Sequence, residues 1–273
     1  MTARPPMTGG GHESPGGRAR SAAGPDGRGQ SEVIACWSAK GGAGTTVVAS
    51  ALALRIARRT PSGVVLVDAA GDAPAVLGLP EPDGPGLAGW LRSGGSEPPA
   101  DVAACPGLSL IPRGDGPLAA DRADPLSRTL GSAGRPVVVD CGSAPEGVAA
   151  VLAERADQSI LVTRPCYLAL RRFVTVPLPT PTGVIVIRQP GRVLSGDDVA
   201  AAVGARIVAE IDIDPAVARS VDAGLLATRV PASLDAGVAA ALDAIGAPGR
   251  ARRPAHPGLA AVAEPDQPEI SAW

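Results

Sequence analysis

Short runs of apolar residues alternate along the chain with longer segments in which apolar positions recur at the spacing of a helix. Fully apolar runs are typical of strands buried on both faces of a sheet, and the segments between them are typical of crossover helices. The pattern predicts seven strands, near residues 33–37, 64–67, 108–111, 136–139, 159–162, 184–187 and 207–211. It predicts helices over residues 46–59, 118–130, 145–155, 196–203, 215–223 and 232–245. We therefore expect an α/β fold with a doubly wound, mostly parallel sheet.

Both ends of the chain differ in composition from the part between them. Residues 1–31 and 247–273 are rich in glycine and proline, so they cannot bury enough apolar surface to offset the entropy lost on ordering. We expect them to be disordered tails. Residues 32–246, about 215 residues, are long enough for one α/β domain with a sizeable core. The N-terminal residues also lack the apolar stretch of a secretion signal, which favours a cytoplasmic location.

The charge balance excludes several classes of protein. The sequence has 25 Lys and Arg residues against 27 Asp and Glu, a formal net charge of −2, which is too even for a protein that coats nucleic acid. No stretch reaches the roughly 18 consecutive apolar residues that a membrane-spanning helix requires. Both histidines lie in the expected tails, so chemistry in the folded part must use carboxylates, hydroxyls, lysine or backbone amides.

A glycine-rich loop follows the first predicted strand and leads directly into the first predicted helix. It reads Lys40-Gly41-Gly42-Ala43-Gly44-Thr45-Thr46. Glycines allow successive backbone N–H groups to curl around a phosphate, and the positive end of the helix dipole faces the same anion. Thr46 stands where a hydroxyl would hold Mg²⁺. The alternative is an ordinary structural turn, which also recruits glycine.

Two of the other predicted strands are each followed by an aspartate. Asp68 follows the apolar run at 64–67, and Asp140 follows the run at 136–139. Because the carboxyl ends of parallel strands meet at one edge of a sheet, we expect both carboxylates beside the loop, where a metal or its water ligands would lie. Lys40 is the single lysine among the 25 basic residues, which favours a role that arginine would not serve; the alternative is placement by chance.

Together these segments resemble the ParA/MinD group of P-loop ATPases over about residues 32–246. The loop is similar to the deviant Walker A motif of that group, the segment ending at Asp68 to its second acidic motif, and the segment ending at Asp140 to its Walker B motif. Residues 156–163 and 212–217 fit the order of its later elements. The resemblance implies ATP and Mg²⁺ as cofactors, residues 40–46 as the nucleotide-binding loop, and Thr46, Asp68 and Asp140 at the metal. It also implies catalytic roles for Lys40, Asp68 and Asp140, with Lys40 reaching the phosphates of the partner in a nucleotide-bound homodimer.

Three departures from the family pattern bear on mechanism. Thr45 occupies the position of the P-loop lysine, so the main cation of the loop is absent and phosphoryl transfer should be less well stabilised. Ala70 replaces the second carboxylate of the family's Asp-x-Asp, although Asp72, two residues further on, is a candidate substitute. Residues 187–189 lack the asparagine that reads adenine in the family, which leaves the base specificity open.

Loss of the P-loop lysine with retention of the early one looks like the atypical CpaE/TadZ branch, whose members localise pilus-assembly or cell-division machinery. We therefore expect a nucleotide-binding switch or scaffold for spatial organisation, with weak or absent hydrolysis and with partners from pilus, septum or DNA-segregation machinery. The alternatives are a slow Mg²⁺-dependent ATPase, a nucleotide-free pseudo-ATPase and, less favoured, an ATP-dependent ligase. Arg171, Arg172 and the basic residues at 250–253 could touch DNA, which is not favoured. The proline-rich end cannot form an amphipathic membrane helix, so direct membrane insertion is not expected.

Overall fold

A computed structural model of the chain describes residues 31–94 and 97–246. The strands are β1 (Val33–Ser38), β2 (Val64–Asp68), β3 (Val102–Cys105), β4 (Leu108–Ile111), β5 (Val137–Ser143), β6 (Gln158–Thr163), β7 (Gly183–Arg188) and β8 (Ile207–Asp212). The α-helices are α1 (Thr45–Ala57), α2 (Ala73–Leu77), α3 (Gly86–Ser93), α4 (Ala123–Gly131), α5 (Gly147–Arg155), α6 (Tyr167–Thr175), α7 (Gly196–Val203), α8 (Pro215–Asp222) and α9 (Ala232–Ile245).

The strands of the described residues form one sheet in the order β3-β4-β2-β5-β1-β6-β7-β8. Every neighbouring pair is parallel except β3 and β4, which form an antiparallel edge. The expected α/β fold with a doubly wound, mostly parallel sheet is confirmed. The inner strands are apolar at nearly every position because helices cover both faces of the sheet.

The core consists of two apolar layers, one on each face of the sheet. Alternate residues of β1 point to opposite layers, as the period of a strand requires: Ile34 lies in the layer beneath α1 and α9, and Trp37 lies in the layer beneath α4 and α5. Trp37 is fully buried, stacks on Phe173 at 6.2 Å between ring centroids and donates its indole N–H to Ser159 Oγ. The helix before β2 and the helix after β5 therefore pack on opposite faces.

Several elements differ from the sequence-based prediction. β3, α2, α3 and α6 were not predicted: α2 has only five residues, too few to show a helical period, and β3 is a short edge strand. The helix predicted over residues 118–130 begins as an α-helix only at Ala123, after a short 3₁₀ turn at Ala120–Arg122. Pro125 explains this start, because proline is tolerated in the first turn of a helix but not in its interior.

The described chain begins at Ser31, which is buried and donates its amide to the carbonyl of Gly131 at 2.9 Å. The expected tails, apart from Ser31, and the basic residues at 250–253 lie outside the described residues. In the described part of the chain, none of the helices combines the length and apolarity needed to cross a bilayer.

Candidate functional site

The site lies where the direction of the chain reverses across the sheet. β1 and β5 are neighbours, but the chain leaves β1 through α1 on one face and leaves β5 through α5 on the other. The diverging connections open a crevice at the carboxyl ends of the two strands, which is where open α/β sheets bind ligands. The pairing of β1 and β5 is also irregular there, since the register shifts between Cys36 and Ser38.

The glycine-rich loop forms one wall of this crevice. Gly42 and Gly44 have φ of 79° and 91°, left-handed conformations that a side chain would strain. Gly44 immediately precedes α1, and the first intrahelical backbone bond recorded there runs from the amide of Val48 to the carbonyl of Gly44. The amides of Thr45, Thr46 and Val47 come before that bond, in the first turn, where backbone N–H groups have no partner within the helix. These three residues line the crevice. The loop and the positive end of the α1 dipole therefore face the same space.

Asp140 is fully buried and does not itself line the cleft, although the next residues, Cys141 and Gly142, do. Its Oδ1 accepts the amide of Gly142 at 3.0 Å, while its Oδ2 is buried without a hydrogen-bond partner in the described residues. Burial raises the pKa of Asp140 to about 6, and the neighbouring Thr46 hydroxyl opposes that rise. A buried carboxylate oxygen without a donor, beside a hydroxyl, fits a magnesium ion or one of its water ligands.

Asp68 is also fully buried, but its oxygens are largely used by its own loop. Oδ1 accepts the amides of Ala70 and Gly71 at 3.0 and 2.5 Å, and Oδ2 accepts the amide of Ala73 at 3.0 Å. Burial raises the pKa of Asp68, and the three amides oppose that rise. In this geometry the carboxylate fixes the path of the loop between β2 and α2.

The crevice opens into a cleft of about 1020 Å³. The loops after β2 and β4 supply Asp72 and Arg113 to its far wall, and Glu146 and Asp222 complete its charged lining. Arg113 was missed by the sequence analysis, although its position just beyond an apolar strand is the same signal that identified Asp68. Side chains of the described residues do not fill the cleft beside the glycine loop.

The predicted site residues take different positions relative to this cleft. Five of the seven loop residues line it, namely Gly41, Gly42, Gly44, Thr45 and Thr46. Ala43 is buried and packs into the core beneath α1. Lys40 is exposed and does not line the cleft, so the site residues of the loop are not all directed to one point.

Three later segments, residues 156–163, 187–189 and 212–217, have structural partners instead of cleft contacts. Arg188 forms an ion pair with Asp212 at 2.7 Å, and neither residue lines the cleft. Asp214 caps α8 by accepting the amide of Ala216 at 2.7 Å. Asp157 accepts the amide of Val33 at 2.9 Å and so ties β6 to β1.

Comparison with solved structures identifies this arrangement. MinD from Aquifex aeolicus superposes with a TM-score of 0.66, at 22% identity over 82% of this chain and 100% of that one. The chain has the ParA/MinD fold. A ParA family ATPase from Chlorobium tepidum shares this fold with a TM-score of 0.60, at 21% identity over 76% of this chain and 96% of that one.

A third structure with the ParA/MinD fold was solved with a ligand. The septum site-determining protein MinD from Pyrococcus horikoshii, complexed with Mg-ADP, gives a TM-score of 0.64 at 17% identity, over 77% of this chain and 94% of that one. At 17% to 22% identity, the likeness shows the fold alone. At the level of sequence, no protein-family model matches the chain, and no curated protein matches it.

Proposed function

We propose that this chain is an atypical ParA/MinD-like protein that binds Mg²⁺ and ATP and acts as a switch or scaffold for spatial organisation, with weak or absent hydrolysis. The observation that carries the proposal is the juxtaposition at the β1/β5 crevice: an open cleft, a loop with two left-handed glycines, and a buried carboxylate oxygen of Asp140 without a donor. A purely structural turn would need neither the cleft nor the unpaired oxygen.

The residues of the cleft divide the binding task between backbone and side chains. The amides at the start of α1 would hold phosphate oxygens, with the helix dipole adding to the attraction. Thr46 and Asp140 would hold Mg²⁺ directly or through water, and the ion would supply positive charge opposite the phosphates. Asp68 contributes by keeping the loop after β2 in place, since its oxygens are occupied by the amides of Ala70, Gly71 and Ala73.

Weak or absent hydrolysis follows from two residues of the cleft, Thr45 and Ala70. Thr45 lines the cleft at the position of the P-loop lysine, where it can donate one hydrogen bond but carries no charge. Ala70 lines the cleft where the family has a second carboxylate. ATP binding depends on the glycine loop and the start of α1, which are present. Phosphoryl transfer also requires groups that stabilise the charge developing in the transition state. Binding is therefore retained while turnover is reduced.

Lys40 supports a homodimer in the nucleotide-bound state. Lys40 is exposed and does not line the cleft of its own subunit. A compact ammonium on a long flexible stem suits a contact with the phosphates of a second subunit. The dimer would then be the form that recruits protein partners.

The processes named for proteins of this fold support a positioning role. Proteins of this fold include a septum site-determining protein, a MinC:MinD cell division protein complex and a putative plasmid partition protein. We place this chain in the same kind of process, with protein partners from pilus, septum or segregation machinery.

Calorimetric titration of the full chain with ATP in Mg²⁺-containing buffer tests the proposal. We expect saturable binding that weakens when Mg²⁺ is removed with EDTA. Hydrolysis measured by phosphate release should be weak or absent in the wild type and faster in Thr45→Lys, which restores a cation to the loop, but not in Thr45→Ser. Absence of saturable ATP binding in the wild type would overturn the proposal.

A slow Mg²⁺-dependent ATPase is the second candidate, because the structure places Asp72 in the cleft wall where it could orient water. In that case phosphate release should be lost in Asp72→Asn and in Lys40→Ala while ATP still binds. Equal rates in Asp72→Asn and wild type would remove this candidate.

A further inference from the structure

Among the described residues that line the cleft, Arg113 is the basic one. The acidic ones are Asp72, Glu146 and Asp222. Three carboxylates would repel a polyphosphate, and Asp140 behind them adds to the repulsion. With Thr45 uncharged and Lys40 outside the cleft, the counter-charge that the described residues offer a phosphate chain in this cleft comes from Arg113.

The backbone of Arg113 is held firmly by α3. The amide of Leu87 donates to the carbonyl of Pro112 at 2.8 Å, and the amide of Ala88 donates to the carbonyl of Arg113 at 2.9 Å. The loop after β4 is therefore fixed at the residue that carries the guanidinium. Because the backbone is already ordered, binding at the guanidinium costs the entropy of the side chain alone.

The side chain of Arg113 passes over the loop that Asp68 organises. A Cβ built on Gly71 would lie 3.2 Å from Cδ of Arg113, and Gly71 has φ of 110°. The amide of Gly71 is in turn held by Asp68 Oδ1. Asp68, Gly71 and Arg113 thus form a continuous support that directs the arginine along the cleft wall.

The guanidinium of Arg113 has little to bind within the protein. Nη1 donates to the carbonyl of the adjacent Gly114 at 3.3 Å, and no carboxylate lies within ion-pair distance in the described residues. A guanidinium has five N–H donors, arranged to match phosphate oxygens in pairs. Most of its donors therefore remain available to a ligand.

The sheet order separates Arg113 from the glycine loop. β4 lies three strands from β1, about 14 Å at the usual spacing of about 4.8 Å between strands. The glycine loop after β1 takes the inner phosphates, so a group on the β4 side approaches the end of the chain that extends away from the loop. We propose that Arg113 binds the terminal phosphate of a nucleoside triphosphate and thereby distinguishes the triphosphate from the diphosphate. This inference rests on the proposed function, and it assigns the discrimination on which a nucleotide switch depends.

Calorimetry with Mg-ATP and Mg-ADP on the full chain tests the inference. In Arg113→Gln we expect ATP affinity to fall at least tenfold, as for loss of a charge-assisted hydrogen bond, while ADP affinity changes less than threefold. Arg113→Lys should recover part of the ATP affinity through its charge. Arg92→Gln is the matched control, because Arg92 is an exposed neighbour that donates to the carbonyl of Asp115 and does not line the cleft.

The outcomes separate the inference from the proposed function. If wild type binds ATP and Arg113→Gln binds it equally well, the inference is wrong and the nucleotide-binding function stands. Equal weakening of ATP and ADP in Arg113→Gln would show that Arg113 only supports the loop, which also overturns the inference. If the wild type binds neither nucleotide, the proposed function itself fails.

Discussion

At the scale of single residues, the site combines one buried carboxylate that has an oxygen without a partner in the described residues with another whose two oxygens both accept amides. Asp140 and Asp68 are both fully buried at the carboxyl edge of neighbouring strands, yet Asp140 Oδ2 has no donor in the described residues whereas Asp68 accepts three amides. The unpaired oxygen costs stability in the protein alone, because burial disfavours the charged form. Such a cost is typical of a group kept for binding.

The raised pKa of Asp140 predicts a pH-dependent stability in metal-free buffer. Its folded pKa of about 6 lies above the ordinary 3.8, so the protonated form favours the folded state. The stabilisation is therefore complete below about pH 4 and is lost as the pH rises through about 6. The loss relative to Asp140→Asn should be on the order of 3 kcal/mol between these limits.

Urea unfolding of wild type and Asp140→Asn in EDTA, from pH 4 to pH 7.5, measures this difference. The free energy of unfolding of the wild type should fall relative to that of the variant as the pH rises. Parallel profiles of the two proteins would show that Asp140 is not perturbed in this way.

At the scale of elements, α2 and α8 meet through their terminal glycines next to the cleft. A Cβ on Gly78, which ends α2, would lie 2.0 Å from the carbonyl oxygen of Gly224 just after α8. Val76 of α2 and Val221 of α8 both line the cleft. The close backbone contact therefore fixes the distance between two walls of the site.

Gly78→Ala should reduce the free energy of unfolding by about 3–5 kcal/mol, because the new methyl group collides with backbone and also strains a residue with φ of 73°. Gly204→Ala is the matched control: Gly204 ends α7 with φ of 69°, and nothing lies within 4 Å of its added Cβ. That variant should lose only about 1–2 kcal/mol. Equal losses in urea unfolding would show that α2 and α8 do not meet as closely as described.

At the scale of the whole molecule, the separation of Lys40 from its own cleft is the feature that bears on assembly. The cleft walls supply amides, a hydroxyl, carboxylates and Arg113, while the single lysine of the sequence is exposed and does not line the cleft. An exposed ammonium on a long stem can contact phosphates that a second subunit binds. A second subunit could then complete the charge balance.

The mass of the wild type saturated with Mg-ATP can be measured by light scattering after size exclusion. We expect about twice the monomer mass. Lys40→Ala should remain monomeric, because it removes the proposed contact between subunits, and should still bind ATP. Arg128→Ala, on the exposed surface of α4, should dimerise like the wild type. A Lys40→Ala protein that dimerises normally would contradict the proposed role of Lys40.

The sequence by itself determined the features that are encoded locally. Buried strands, the glycine loop entering α1 and an aspartate near the carboxyl end of β2 and of β5 all follow from residue types at short spacing, and the structure has them. The boundaries near proline and the short elements were not recoverable, since a five-residue helix such as α2 has no measurable period.

Only the tertiary structure decided which of these groups meet. The strand order places the loops after β2 and β4 on the same cleft as the glycine loop, and so brings in Arg113 and Asp72. It also buries Asp140, whose Oδ2 has no hydrogen-bond partner in the described residues. These outcomes depend on contacts between residues distant in sequence, whose geometry is set by how the strands pair and how the helices cover them; local residue patterns carry no record of that arrangement.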